Sequence, residues 1–381
     1  MTAMELIITT LFGMEALVSK EVKKLGYTVT EVTDGRVTFI GDESAIARCN
    51  LWVRCGERLL IKMGEATVTT FDELFEFTRQ LPWEDWIEKE DAFPVKGYSL
   101  KSTLFSVPGC QSIIKKAVVS ALEETYGQKW FPETGTLYQI EFSLIKDKLT
   151  LMIDTSGQPL HKRGYRRNSN RAPLKETIAA AIVTLTRFRY DGVFADPFCG
   201  SGTIPIEAGL IAKNIAPGIH RDFAAMRFPQ ISDKIWKNAK EEANSLIRQD
   251  SRLKILASDI DPEAIRLTTH NAKVAGVSDM MEITEKPMQE FFPSEAVGTI
   301  CSNPPYGERL LDETACRLLY KEMGRHFRTD LPGWSVFVLT PEEKFEDYYG
   351  KFCDKKRKLY NGMIKCNLFQ YFGEKIIKGG F

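Results

Sequence analysis

The stretch VGTICSNPPYG, residues 297–307, joins an apolar, β-branched run to an asparagine and two prolines. The apolar part, which ends at Ser302, is typical of a buried strand. Pro304 and Pro305 can neither continue that strand nor favour a helix, because proline lacks an N–H and restricts the residue before it. The sequence therefore predicts a stiff loop at the carboxyl end of a strand, where open α/β sheets bind ligands.

A second apolar run, GVFAD, leads into DPFCGSGT, residues 196–203. Gly200 and Gly202 allow a sharp turn and a close backbone approach to a ligand, and the helix that follows offers free N–H groups. Neither a third glycine nor a Gly-Lys-Ser/Thr triplet follows, so the dinucleotide fingerprint and the Walker A motif are both absent. The carboxylate of Asp196 suits a positively charged amino-acid group better than a pyrophosphate. This stretch predicts a site for an adenosine-bearing cofactor.

A third motif, SDIDP, occupies residues 258–262 at the end of the next predicted strand. A carboxylate in this position is the usual ligand of ribose hydroxyls, because it accepts two hydrogen bonds from a diol. We predict that role for Asp259, and we predict that Asp261 caps the helix that opens at Pro262. Asp259 lies farther from the glycine turn than in compact dinucleotide folds. The segment between them, with residues 215–230 and a helix near Asp233 to Arg248, is therefore predicted to be an insertion.

The front half carries two α+β patterns. The first shows the order β-α-β-β-α-β of a ferredoxin-like unit. The second begins with a capping box, from Thr70 to Glu73, and contains the alternating strand TLYQIEFSLI, which predicts a half-buried sheet. From about residue 175 helices alternate with apolar strands, as in a doubly wound, mostly parallel α/β sheet. The tail predicts an antiparallel hairpin around Asn361-Gly362.

A basic segment, LHKRGYRRNSNRAPLKE, covers residues 160–176. Its only acidic residue is the last one, Glu176. Two interpretations remain open: a solvated linker, or a hinge that contacts phosphates. Tyr165, which lies among the arginines and would stack on a base, favours the second.

Composition limits the partners and the compartment. A chain of 381 residues predicts two or three domains, and a net charge of +0 means that any nucleic-acid site must come from a local basic patch. The eight cysteines form no CxxC pair, which favours a reducing compartment without a disulfide framework or a metal site. The N-terminus lacks a basic n-region, and no apolar run approaches about 18 residues. We therefore expect a cytoplasmic protein with no membrane and no metal partner.

The order DPFCGSGT, SDIDP, SNPPYG resembles the class I S-adenosylmethionine-dependent methyltransferases of exocyclic amino groups. The stretches LFGMEALVSKEVKKLGY, PWEDWI and IDTSGQPLHKRGYR resemble the THUMP-domain RNA methyltransferases, above all the family that makes N2-methylguanosine in large-subunit ribosomal RNA. The resemblance implies a ferredoxin-like domain at 1–64, a THUMP RNA-binding domain at 65–160 and a methyltransferase domain at 161–381. The last would be Rossmann-like, with a parallel sheet that ends in an antiparallel hairpin.

The resemblance also implies S-adenosylmethionine as cofactor and RNA, ribosomal RNA first of all, as partner. The predicted cofactor-binding residues are Asp196, Phe198, Cys199, Gly200, Ser201, Gly202, Thr203, Asp259, Ile260 and Asn303. The predicted RNA-binding residues are Lys162, Arg163, Tyr165, Arg166, Arg167 and Arg171. One departure concerns the adenine contact: family members often carry an acid after the third strand, where this chain has Lys286, so Glu285, Glu290 or backbone would replace it.

The predicted catalytic residues are Asn303, Pro304, Pro305 and Tyr306. An exocyclic amine is a poor nucleophile, because its lone pair is delocalised into the ring. The Asn303 side-chain oxygen and the Pro304 carbonyl would accept its two N–H groups, while the prolines hold both acceptors in place and Tyr306 stacks on the extruded base. Transfer-RNA guanine-N2 methylation, adenine-N6 methylation of RNA or DNA, and a non-catalytic RNA-binding assembly factor remain open as alternatives.

Overall fold

The computed structural model describes residues 3–166, 174–306, 313–362 and 364–374. The chain forms two compact units. The first unit consists of Met1–Thr10, Val18–Leu160 and Arg221–Glu242, and the second consists of Leu11–Leu17, His161–His220 and Ala243–Phe381. Among the described residues, no helix is long and apolar enough to cross a membrane.

The first unit is built on seven strands. They are β1 (Met4–Thr10), β2 (Thr28–Thr33), β3 (Arg36–Gly41), β4 (Gly56–Thr67), β5 (Val95–Leu100), β6 (Ile140–Ile145) and β7 (Lys148–Asp154). The helices of this half of the chain are α1 (Glu15–Lys24), α2 (Glu43–Trp52), α3 (Phe71–Arg79) and α4 (Val107–Tyr126). The predicted capping box is confirmed, since Thr70 accepts from the Glu73 N–H and Glu73 accepts from the Thr70 backbone.

These seven strands form one sheet, in the order β2-β3-β1-β4-β7-β6-β5. The sequence predicts two adjacent α+β patterns, whereas in the structure the strands of both patterns belong to one continuous sheet. The link is β4, which is 12 residues long: Arg58–Ile61 pairs with β1, and Leu60–Thr67 pairs with β7. The predicted boundary between residues 64 and 65 falls inside this strand.

The predicted insertion contributes to the first unit, although it lies between the first two strands of the methyltransferase half. The Phe228 ring stacks on Tyr138, with 4.2 Å between the ring centroids, and meets Trp86 edge-on at 6.3 Å. The Gln230 amide donates to the carbonyls of Asp85 and Trp86 at 2.9 and 3.0 Å. These contacts place Phe228 in the core of the first unit, whereas Ile215, at the start of the insertion, packs with Ile206 and Leu210 in the second unit.

The described part of the second unit also contains seven strands. They are β8 (Val193–Asp196), β9 (Lys254–Asp259), β10 (Met281–Glu285), β11 (Gly298–Ser302), β12 (Trp334–Thr340), β13 (Lys355–Asn361) and β14 (Ile364–Tyr371). The remaining helices are α5 (Glu176–Thr186), α6 (Thr203–Ala212), α7 (Asp233–Ser245), α8 (Pro262–Ala275), α9 (Glu313–Thr329) and α10 (Phe345–Tyr349). Most of α7 belongs to the first unit.

The sheet of the second unit has the order β10-β9-β8-β11-β12-β14-β13. Its first five strands run parallel, and β14 and β13 complete it in antiparallel pairing. The predicted fold class, a Rossmann-like α/β sheet that ends in an antiparallel hairpin and follows α+β modules, is confirmed. The order reverses between β8 and β11, so the fold has its topological switch point where the two predicted ligand loops begin.

We expect Phe228→Ala to lower the free energy of unfolding by about 3–5 kcal/mol, because it removes a buried ring from the core of the first unit. The matched control is Phe352→Ala, since the Phe352 side chain is 81% exposed and Phe228 only 1%. Urea unfolding followed by circular dichroism measures both changes. Equal midpoints for the two variants would contradict the packing described for the insertion.

Candidate active site

Three neighbouring parallel strands, β9, β8 and β11, end at the same edge of the second sheet. Their last residues are Asp259, Asp196 and Ser302. The three sequence motifs begin at these strand ends, although they are separated by many residues along the chain. The sheet therefore brings the glycine turn, the SDIDP loop and the SNPPY loop together, as the motifs predict.

Asp196 connects two of these loops. Its carboxylate accepts the Phe198 N–H at 3.0 Å and the Ser302 hydroxyl at 2.8 Å. The side chain is 1% exposed, and burial raises the pKa of the carboxyl to about 7, with a further increase from the nearby charge of Asp259. A buried carboxylate at a strand end, with no cation among its described hydrogen-bond partners, could pair with a cationic ligand group.

The glycine turn is held from outside by side chains. Gly200 and Gly202 have φ of +53° and +82°, in the region that glycine adopts without strain. The Thr268 hydroxyl donates to the Gly200 carbonyl at 2.8 Å, and the Asn271 amide donates to the Ser201 carbonyl at 2.9 Å. Thr268 and Asn271 lie three residues apart on α8, so one face of that helix fixes the turn. Sequence reasoning missed both residues, and their spacing on the helix after SDIDP is the signal that would have found them.

Asp259 lies beside this turn. Its carboxylate accepts the Gly200 N–H at 2.9 Å and the Asp261 N–H at 3.0 Å, and burial raises its pKa. Asp261 caps α8 as predicted, because its side chain accepts the Glu263 N–H at the start of the helix. Ile260 is 70% exposed, which gives the edge of the site an apolar surface.

The other predicted cofactor residues lie in the same turn. Phe198 packs against the core of the second unit, and Thr203 begins α6. Cys199 is buried, its thiol lies 3.6 Å from the Thr268 hydroxyl, and burial raises its pKa. A thiol with a raised pKa is a poor nucleophile, so Cys199 fits a packing role.

The loop after β11 presents an unpaired acceptor. The Asn303 side-chain oxygen is buried and has no hydrogen-bond partner among the residues that the structure describes. A buried acceptor without a partner costs about 1–3 kcal/mol, so a bound donor would offset a real penalty. Pro304, the next residue, is buried, and no cis peptide bond occurs in the described chain.

Two residues outside the motif hold this loop. The Tyr320 hydroxyl, on α9, donates to the Pro305 carbonyl at 2.9 Å and lies 3.3 Å from the Thr340 hydroxyl. The Asn361 amide, at the tip of the β13–β14 hairpin, lies 3.5 Å from the Tyr306 hydroxyl. Sequence reasoning missed Tyr320, because its position on α9 looks like an ordinary core position.

The structure corrects the predicted RNA contacts of Arg163 and Tyr165. Both side chains are buried, at 3% and 4% exposed. The Arg163 guanidinium lies 3.4 Å from the Glu207 carboxylate, and the Tyr165 hydroxyl donates to the same carboxylate at 3.2 Å. The Tyr165 ring packs with Ile206 and Leu210. Neither side chain is available to a base or a phosphate in this arrangement, because both are occupied inside the second unit.

Arg166 is also turned inward. Its guanidinium donates to the Thr203 hydroxyl at 2.8 Å and pairs with the Glu176 carboxylate at 2.9 Å. It therefore supports the start of α6, next to the glycine turn. Lys162 is exposed, as a phosphate contact requires. Arg167 and Arg171 lie outside the described residues.

The position of the expected adenine-contacting acid is occupied by Lys286. Its backbone N–H donates to the Asp259 carbonyl at 3.0 Å, and the residue lines a cavity of about 250 Å³ together with Ser258 and Phe291. Glu285 and Glu290 are exposed. Lys286 therefore lines this cavity and Glu285 and Glu290 do not, while the acids that line it are Glu282 and Glu295.

Comparison with known families matches three parts of the chain. The RMKL-like methyltransferase domain model matches residues 163–370, the RlmL ferredoxin-like domain model matches residues 5–60, and the THUMP domain model matches residues 68–154. The chain is similar to a Bacillus subtilis (strain 168) protein named "Putative RNA methyltransferase YpsC", with 46% identity over 97% of this chain and 96% of that protein.

It is also 31% identical to the ribosomal RNA large subunit methyltransferase K/L of Cellvibrio japonicus, over 94% of this chain and 50% of that protein. The chain therefore spans about half the length of the K/L proteins.

Two crystal structures are similar over nearly the whole chain. One is described as a predicted N6-adenine-specific DNA methylase from Listeria monocytogenes, with 48% identity, a TM-score of 0.93, and coverage of 98% of this chain and 97% of that one. The other is SMU.472, described as "a putative methyltransferase complexed with SAH", with 40% identity, a TM-score of 0.93, and coverage of 99% and 100%.

We expect Arg163→Met to lower the free energy of unfolding by about 3–5 kcal/mol, because it leaves the Glu207 carboxylate buried without its cation. Lys162→Met, at the exposed neighbouring position, is the control and should change stability by less than about 0.5 kcal/mol. Thermal and urea unfolding report both values. A stable Arg163→Met protein that binds RNA more weakly than the wild type would restore the RNA-contacting role.

Proposed function

The chain belongs to the family of RMKL-like methyltransferases, and on that premise we propose that it transfers a methyl group from S-adenosylmethionine to the exocyclic N2 of a guanosine in 23S ribosomal RNA. The THUMP domain and the K/L relatives support ribosomal RNA as the substrate. The observation that carries the proposal is the buried Asn303 oxygen, unpaired within the described chain, at the strand end beside Asp196.

The residues at the three strand ends fit S-adenosylmethionine. A Cβ added at Gly200 would meet no described atom within 4 Å, so the turn leaves open space where the backbone faces outward. Asp196 would hold the ammonium group, Asp259 would accept from the ribose hydroxyls, and the exposed Ile260 would cover the adenine ring. The complex of SMU.472 with SAH, the demethylated form of this cofactor, supports the same choice.

When bound, S-adenosylmethionine supplies an electrophilic methyl group. The residues of the chain then have to prepare the amine. The Asn303 oxygen and the Pro304 carbonyl accept its two N–H groups, which favours a pyramidal nitrogen and stabilises the positive charge that develops on it. Pro304, Pro305 and the Tyr320 hydroxyl keep the acceptors in place before the substrate arrives. Asn303 need not be a strong base, because the alkylated nitrogen releases its proton readily to water.

Guanine N2 and adenine N6 are both exocyclic amines, and the Asn-Pro-Pro-Tyr loop suits either one. The name of the Listeria protein favours adenine N6 in DNA as a second candidate. The THUMP domain favours RNA, of ribosomal or transfer type. We propose the guanine of ribosomal RNA because of the likeness to the K/L proteins. We also propose that the chain divides into domains at 1–64, 65–160 and 161–381, and that the protein acts in the cytoplasm.

Replacing Asn303 with alanine should lower kcat for methyl transfer roughly 100- to 1,000-fold, as expected when one acceptor that stabilises the transition state is lost. Asn238→Ala, at an exposed position of α7, serves as the control. The assay follows labelled methyl groups from S-adenosylmethionine into 23S ribosomal RNA that lacks the modification, and nucleoside digestion identifies the product.

Full activity of Asn303→Ala would end the role proposed for the loop. If the product is N6-methyladenosine and Asn303→Ala still lowers kcat, the target of the proposal changes from guanine N2 to adenine N6. A product in transfer RNA alone would change the substrate but not the chemistry.

Binding of S-adenosylmethionine should weaken as the pH falls below about 7. The Asp196 carboxyl, with a pKa raised by burial to about 7, becomes neutral in that range and loses its attraction for the ammonium group. For one titrating group, the affinity should fall about eightfold between pH 7.5 and pH 6. Calorimetry measures it, with Asp196→Asn as the control that binds weakly at both pH values. A wild-type affinity independent of pH would reject the assignment.

A further inference from the structure

A short turn from the start of the chain belongs to the second unit and displays an aromatic ring. Leu11–Leu17 is part of this unit, and within it Phe12 is 55% exposed. The Arg357 guanidinium, on β13, donates to the Gly13 carbonyl at 2.6 Å, and the Gly13 N–H donates to the Glu15 carboxylate at 2.9 Å. Met14 is buried. Gly13 and Met14 thus anchor the turn, and none of these anchoring contacts involves the Phe12 side chain.

The Phe12 ring lies beside a second aromatic residue and a lysine. It meets Tyr360 edge-to-face, with 6.1 Å between the ring centroids and 71° between the planes. The Lys358 ammonium lies 5.2 Å from the Tyr360 ring centroid and is exposed. We call these three residues, Phe12, Tyr360 and Lys358, the aromatic platform. It combines a π surface with a positive charge, the two features that proteins use to hold single-stranded nucleic acid.

The platform is one residue away from the candidate active site. Tyr360 precedes Asn361, and the Asn361 amide lies 3.5 Å from the Tyr306 hydroxyl. Successive side chains of a strand point to opposite faces, so the hairpin tip carries Asn361 on one side and Tyr360 on the other. The two sites meet at this tip, so an RNA strand whose target base stacks on Tyr306 reaches the platform with a neighbouring nucleotide by bending round the hairpin tip.

We propose that the aromatic platform binds the nucleotide next to the methylated one in single-stranded RNA. The flanking base stacks on Phe12, Tyr360 supports that ring from its edge, and Lys358 attracts the phosphate. The proposal rests on the proposed function, because it names a contact for the same RNA substrate. Stacking tolerates every base, so the platform adds affinity for a splayed single strand and little preference for its sequence.

The test compares wild type, Phe12→Ala, Phe12→Leu and Phe12→Trp in methylation of 23S ribosomal RNA transcribed in vitro. Phe352→Ala, which removes another exposed phenylalanine of the chain, is the control. We expect Phe12→Ala and Phe12→Leu to raise KM for the RNA about tenfold, since each loses the stacking surface. The kcat and the Kd for S-adenosylmethionine should stay at the wild-type values, and Phe12→Trp should restore KM.

An unchanged KM in Phe12→Ala would overturn the proposal. The proposal would also fail if Phe12→Trp raised KM as much as Phe12→Ala does, or if the Phe12 variants bound S-adenosylmethionine more weakly. Either result would show that Phe12 has a structural role instead. If the wild-type protein methylates no ribosomal RNA, the proposed function fails while the platform can still be tested. Binding of a fluorescein-labelled, single-stranded RNA decamer should then be about tenfold weaker for Phe12→Ala than for wild type, and equal binding would reject the platform.

Discussion

The hydrogen bond from the Ser302 hydroxyl to the Asp196 carboxylate is the contact on which the active site depends. It joins the ends of two adjacent parallel strands, where the glycine turn and the SNPPY loop begin. The carboxylate is buried, and its partners among the described residues are one hydroxyl and one backbone N–H. Through these two hydrogen bonds the carboxylate links the glycine turn to the SNPPY loop, and among the described residues no cation is hydrogen-bonded to it.

A second set of buried polar contacts supports the other side of the glycine turn. Arg166 binds the Thr203 hydroxyl at the start of α6, while Arg163 and Tyr165 converge on Glu207 one turn farther along the same helix. Such charges are stable in the interior only when they are paired and hydrogen-bonded. The residues from Arg163 to Arg166 therefore brace the glycine turn, while Lys162 beside them is exposed.

The sequence predicts the parts of this protein that depend on local chemistry. Proline restricts the backbone and glycine permits turns that other residues avoid, so the loops at Gly200, Gly202 and Asn303 and the hairpin at Asn361 follow from composition and order. Burial of the arginines could not be predicted, because a basic run looks the same whether its partners are phosphates or a carboxylate such as Glu207 on a distant helix. The supports at Thr268, Asn271 and Tyr320 are tertiary contacts, and their side chains belong to ordinary helical patterns.

The place of the segment 221–242 in the first unit has a consequence for biosynthesis. The Tyr138 ring packs against Phe228. Phe228 is synthesised well after Leu160, the last residue of the preceding segment of the first unit. At about 5–20 residues per second, the gap between Leu160 and Glu242 lasts roughly 4–16 s. During that time the nascent module exposes apolar surface while the first strand and helix of the second sheet emerge. Completion of the amino-terminal half is thus tied to translation of the half that follows it.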